Sequence, residues 1–234
     1  MDTTVLKNFA QAARRSLKTQ VTAKLNSVLA PQSTARRELP SVVQKLEKAL
    51  AKQEKERLVE RVAYIWFNRF CALRFMDVNH YTLPAVVSPA EGQIRPEILA
   101  EASSGLVDDT FPNETKQRIQ DLLSGKTVSP DSQGDAYRLL LVASCNAWGK
   151  KMPFLFHIIT DYVELLLPDD LLSEQSVLAA VRAAMTEEAC QNVEVIGWLY
   201  QFYISEQKDA ISGVRARLLL LIFLRQPNCL RLIG

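Results

Sequence analysis

Between Ser41 and Asp77 the chain contains neither glycine nor proline, so no residue in that stretch forces the backbone out of a helix. The stretch runs from Val42-Val-Gln-Lys-Leu-Glu-Lys-Ala-Leu50 through the charged Lys52-Gln-Glu-Lys-Glu-Arg57 into Val62-Ala-Tyr-Ile-Trp-Phe-Asn-Arg-Phe-Cys-Ala-Leu-Arg-Phe-Met-Asp77. It predicts one long helix, or two joined near residue 55. Opposite-sign pairs such as Lys52/Glu56 and Glu54/Arg57 would support the charged middle, which reads as a solvated face. In the aromatic part, at about 100° per residue, Val62, Ile65, Trp66, Phe70, Leu73 and Met76 share one broad face, while Arg69, Arg74 and Asp77 lie off it. Apolar stripes of this kind are core surfaces.

The remaining segments point the same way. Eight glycines and ten prolines in 234 residues are too few for the turns of a many-stranded fold, and 48% hydrophobic residues are ample for a core. Asp2, Thr3 and Thr4 offer caps to a first helix reaching about Leu29, with Val5, Phe9, Ala12, Ala13, Leu17, Val21 and Leu25 at three-to-four spacing. Residues 30–40, bounded by Pro31 and Pro40, read as a loop. Pro84, Pro89, Gly92, Pro96, Gly105 and Pro112 mark residues 78–112 as a proline-rich connector, with an extended piece from Tyr81 and a brief helix near Pro96 to Ala102. Asn113 is expected to cap a helix through Leu123, closed by Gly125. Further helices follow over about 131–149, from a Ser173 cap to about Met185, and over about Asn192 to Glu206, with a short turn at Thr186-Glu-Glu. The expected fold is all-α, a bundle of about seven helices with little or no sheet, forming one body over residues 1–209 or two subdomains divided near residues 78–112.

Charge is segregated along the chain. Residues 1–61 carry thirteen Lys+Arg against six Asp+Glu, residues 62–206 ten against nineteen, and residues 207–234 five against one. Only the basic front suits phosphate contact; the acidic middle would repel nucleic acid and suits solvent or a protein partner. Arg14, Arg15, Lys18, Lys24, Arg36 and Arg37 are therefore the candidate contacts to double-stranded DNA, with Arg69 and Arg74 in reserve.

Other chemistries find no support. Cys71, Cys145, Cys190 and Cys229 form no Cys-x-x-Cys pair, and His80 and His157 stand at no ligand or triad spacing, so neither metal site nor nucleophile is expected. Ser124-Gly-Lys-Thr127 resembles the end of a phosphate-binding loop, but Gln120 stands where its first glycine belongs and a helix precedes it, so a helix C-cap explains it. Asp169-Asp170 and Glu187-Glu188 read as helix-start acids. No signal-peptide core is present and the longest apolar run, Leu218 to Leu224, is far short of the roughly 20 residues that span a bilayer. A cytoplasmic protein with no membrane contact is expected.

Three segments carry a family resemblance: Val62–Asp77, Glu164-Leu-Leu-Leu-Pro-Asp-Asp-Leu-Leu-Ser173, and Glu194-Val-Ile-Gly-Trp-Leu-Tyr-Gln-Phe-Tyr-Ile-Ser-Glu-Gln-Lys-Asp209. Over roughly residues 1–209 the chain resembles the N-terminal region of the PglX (BrxX) family, the adenine-specific DNA methyltransferases of BREX phage-defence systems. The resemblance implies host DNA marking with S-adenosylmethionine, alongside other BREX proteins. Binding that donor and holding a flipped adenine need a Gly-rich turn and an Asn/Asp-Pro-Pro-aromatic loop. The chain contains no Gly-x-Gly, Pro-Pro or Asn-Pro, so no catalytic or cofactor-binding residue can be assigned and the chain is expected to be inactive alone. Residues 210–234, rich in Leu and Arg, depart from the family pattern, and a truncated or shifted reading frame after about Asp209 is expected. The rival readings are a stand-alone helical adaptor using the acidic middle, and a small DNA-binding protein using the basic first helix.

Overall fold

The structure is a computed structural model and describes residues 3–153, 156 and 162–205. Helix α1 (Thr3–Leu29) buries Leu6, Phe9, Ala10, Ala13, Leu17, Val21, Leu25 and Val28, the spacing that keeps side chains on one helix face. A short α2 (Thr34–Glu38) leads into α3 (Pro40–Lys52) and α4 (Lys55–Val78). The glycine-free stretch is therefore two helices. Gln53 and Glu54 are extended, at φ −152°, ψ 158° and φ −60°, ψ 142°. The reason for the break is tertiary. Glu56 turns to Lys18 of α1 at 3.2 Å, where the sequence favoured Lys52. Both halves thereby reach the core, α3 through Val43 and Leu46 and α4 through Leu58, Val59 and Val62.

Helix α4 is the centre of the molecule. It lies against α1, α9 (Val177–Ala184) and α11 (Glu194–Ile204). Its Phe67 ring stands 4.5 Å from Tyr203 of α11 and 5.9 Å from Phe9 of α1, centre to centre. Trp66 stacks on Phe70 at 5.6 Å, and its indole N–H donates to the Val163 carbonyl at 3.1 Å. Rings at these separations add to what burial alone contributes. The aromatic stretch of α4 thus meets α11 directly and touches the chain at Val163, just before Glu164.

The other helices are α5 (Glu97–Ser103), α6 (Asn113–Leu123), α7 (Ser132–Lys151), α8 (Tyr162–Leu165) and α10 (Glu187–Cys190). Eleven helices stand among the described residues where periodicity predicts about seven. The excess is short elements such as α2, α8 and α10, of four or five residues each, too brief to show a repeat of 3.6. The described residues contain no strand, only an isolated bridge between Pro89 and Pro96. Two caps also differ from expectation. Pro112, extended at ψ 139°, precedes α6 and leaves Asn113 inside its first turn. Ser176 caps α9 through the Ala179 N–H at 3.2 Å, because the Ser173 N–H is held by Asp170 at 3.1 Å. Helix α7 passes through Gly149 and ends at Lys151, just before Pro153. The divergent tail, 210–234, lies outside the described residues.

The connector after α4 is ordered by one carboxylate. Asp77 is buried and accepts five hydrogen bonds: from the Thr82 hydroxyl at 2.5 Å and from the Val86, Val87 and Ser88 N–H groups and the Ser88 hydroxyl at 2.8 Å each. Backbone donors that a sheet would have paired are paired here by a side chain. The outward carbonyls are held too, Val86 by the Tyr137 hydroxyl at 3.0 Å and Val87 by Arg182 at 3.2 Å. Burial pushes the Asp77 carboxyl above its usual range, against the lowering pull of the Thr82, Val86, Val87 and Ser88 donors.

Two substitutions test this architecture. Phe67→Ala removes the ring between α1 and α11 and is expected to cost about 3–5 kcal/mol in urea unfolding, whereas Val128→Ala, at a side chain 96% exposed, should change stability by less than about 0.5 kcal/mol. Asp77→Asn turns an amide NH₂ toward donors. It should lower stability by about 1–3 kcal/mol and speed hydrogen exchange at the Val86, Val87 and Ser88 amides that Asp77 holds.

Candidate nucleic-acid interface

The six basic residues singled out by the sequence have different surroundings. Arg14 makes a two-point contact with Glu60 of α4, Nε at 2.7 Å and Nη2 at 3.0 Å, and the two side chains are only 13% and 16% exposed. Lys18 shares the same carboxylate at 3.1 Å and reaches Glu56 at 3.2 Å. Partial burial alone would lower the Lys18 ammonium value, but Glu60 and Glu56 raise it. Lys24 is hydrogen-bonded to Asp169, which also receives Arg138 at 3.2 Å. These three cations connect α1 to other parts of the fold.

Arg36 serves a helix end. Its guanidinium donates to the Leu29 carbonyl at 3.3 and 3.1 Å, satisfying the last residue of α1, and holds Glu47 of α3 at 2.7 Å. A cation at a helix C-terminus also meets the negative end of the dipole. Arg15 and Arg37 are exposed, with Arg37 3.5 Å from the Thr34 hydroxyl. Of the reserve pair, Arg69 is buried with its guanidinium 5.3 Å over the Trp66 ring. Arg74 donates to Ser88 at 2.7 Å and to the Met185 carbonyl at 3.0 Å. Both are integrated into the core around α4.

The remaining titratable groups are structural in their surroundings. Cys71, Cys145 and Cys190 are buried free thiols, and burial pushes Cys145 up to about 12 and Cys190 up to about 11, so both stay protonated and weakly nucleophilic. Among the described residues no group of three or more His, Cys, Asp or Glu could hold a metal ion, and no helix is long and apolar enough to cross a membrane. His157 and Cys229 lie outside the described residues. Gly125, at φ 76°, follows α6 as its C-terminal glycine, and the Thr127 N–H returns to the Asp121 carbonyl at 3.0 Å. A cleft of about 720 Å³ opens where α1 gives way to α2, between Lys24, Val28 and residues 30–35.

Comparison with known proteins bears on this arrangement. No family model matches the chain. It is 40% identical over 173 residues, 73% of its length, to the adenine-specific methyltransferase BrxX of Escherichia coli O9:H4 (strain HS). In an alignment of 249 positions, gaps included, that covers 90% of its length, it is 30% identical to the adenine-specific methyltransferase PglX of Lacticaseibacillus casei (strain Zhang). The chain belongs to the BrxX/PglX family. It spans 14% and 20% of the lengths of these two relatives.

Methyltransferase chemistry implies S-adenosylmethionine, and the residues described do not fit that group. A donor cradle needs a strand, a glycine turn where backbone approaches ligand closely, and a helix. Here the positive-φ glycines Gly92, Gly105 and Gly125 are open positions, where an added Cβ meets nothing within 4 Å. None is a cradle. What this part of a BrxX/PglX protein offers instead is a rigid helical body with a charged exterior.

Sequence reasoning missed Asp77 as an organising residue. Its signal was there: a carboxylate in the last turn of a helix opposes the dipole, so its presence calls for donors elsewhere. The same reasoning missed Glu60, visible only once α1 and α4 are side by side. Glu60→Gln, which leaves Arg14 and Lys18 sharing a neutral amide, is expected to destabilise the fold by about 1–3 kcal/mol, read as a lower urea midpoint at unchanged slope.

Proposed function

We propose that this chain is a helical module of a BREX-type adenine-specific DNA methyltransferase, acting in the cytoplasm in phage defence. The module contacts double-stranded DNA through its basic N-terminal segment, docks other BREX proteins, and does not transfer methyl groups by itself. The observation that carries this reading is the 40% identity over 173 residues to an adenine-specific methyltransferase, which covers most of a chain whose described residues supply no donor cradle. The charge distribution supports it: thirteen Lys+Arg against six Asp+Glu in residues 1–61 give the module one DNA-compatible end. Arg15 and Arg37, both exposed, are the contacts from the original six that face solvent most openly. Arg14, Lys18, Lys24 and Arg36 would act chiefly by holding that surface in shape.

Methyl transfer from tritiated S-adenosylmethionine to duplex DNA tests the proposal. The chain alone is expected to give no labelling. A family enzyme lacking the corresponding segment should be impaired, and adding the chain in trans should restore activity. Methylation by the chain alone, or full activity of the shortened enzyme without it, would overturn the reading.

A further inference from the structure

Among the cations of the first 61 residues, two sets contrast. Arg14, Lys18, Lys24 and Arg36 are each ion-paired within the fold, to Glu60, Glu56, Asp169 and Glu47. Lys45, Lys48 and Lys52 of α3 are different. All three are exposed, and among the described residues none has an ion pair, hydrogen bond or aromatic ring as partner.

Their arrangement is regular. At about 100° per residue the three lysines fall within about 60° of one another, across the helix from Val43 and Leu46, which are buried. The single acid of α3, Glu47, is turned to Arg36 at 2.7 Å and does not neutralise the ridge. Lys45 and Lys48 are three residues apart, and Lys48 and Lys52 four, so each neighbouring pair is a like-charge contact that disfavours the helix. The fold relieves the same repulsion on α1 by supplying Glu56 and Glu60 from α4. On α3 it supplies nothing, and a local rule broken without internal compensation is a mark of a functional surface.

The ridge fits one class of partner. It extends about 10 Å along the helix axis, a length over which one DNA strand rises by about three phosphate steps of 3.4 Å. It presents flexible ammonium points and no flat donor fork, which suits phosphate oxygens and carries no base readout. The apolar face of the same helix is directed into the core, so α3 has no hydrophobic side to insert into a lipid surface.

We propose that the Lys45–Lys48–Lys52 ridge of α3 is a further duplex-DNA phosphate contact of this module, beside the exposed Arg15 and Arg37, and that Arg14, Lys18 and Lys24 of α1 are internal struts. This rests on the DNA-contacting reading above and extends the contact to a helix the charge count alone does not single out.

Fluorescence anisotropy with a labelled 25-base-pair duplex, titrated between 50 and 200 mM salt, tests it on the whole chain. Lys45→Gln/Lys48→Gln/Lys52→Gln should weaken binding at least tenfold at 50 mM salt and reduce the slope of log K against log salt by about 2.7, at about 0.9 per phosphate contact. Lys126→Gln, on the α6–α7 turn, should leave both unchanged, and circular dichroism should show the triple variant as helical as the parent. A parent chain that binds duplex, with a triple variant keeping its slope, overturns the ridge while leaving DNA contact standing. A parent chain with no duplex binding at 50 mM salt overturns both.

Discussion

Everything in this fold is arranged around the burial of α4 between α1 and α11. Phe67 touches rings on both neighbours, and Trp66 keeps its indole N–H satisfied by the Val163 carbonyl, so a helix rich in aromatic rings is covered without leaving that donor unpaired. The seam also determines the electrostatics. Once α1 and α4 lie side by side, Arg14 and Lys18 find Glu60 within 3.1 Å. Charges that look like surface charges in the sequence become part of the packing between helices.

A second device compensates for the absence of a sheet among the described residues. The connector leaving α4 is a run of turns and bends with no ladder of its own, and its backbone groups still need hydrogen-bond partners. Asp77 supplies them from a single carboxylate, while Tyr137 and Arg182 take the carbonyls on the other side. The connector is thereby fastened to α7 and α9 as well as to α4. Its burial is reflected in the raised carboxyl value of Asp77, which the five donors oppose.

The family relationship and the structure address different questions. The relatives that match most of the chain are named adenine-specific methyltransferases, while it spans only 14% and 20% of their lengths. The body described here offers a buried aromatic seam, a fastened connector and two kinds of cation. Distinguishing paired cations from exposed ones is what turns a charge count into a candidate surface: α1 holds Arg14, Lys18 and Lys24 against Glu56, Glu60 and Asp169, while α3 turns three lysines to solvent.

By itself the sequence determined the helical class, most of the α1 stripe, the brief α5 and the glycine that closes α6, because these follow from local spacing and from residues with restricted backbones; in α1 the packing exposes Val5 and Ala12 and buries Leu6 and Ala10 in their place. It also carried the family relationship, in three segments of which two, in α4 and α11, pack against each other. Tertiary structure decided between one long helix and two joined near residue 55, since Gln53 and Glu54 have no intrinsic reason to leave a helix, and it added one-turn helices too short to have a period. It alone decided which cations are available. Whether a lysine faces solvent or a carboxylate depends on residues tens of positions away, and a linear chain does not specify that proximity until its helices have packed.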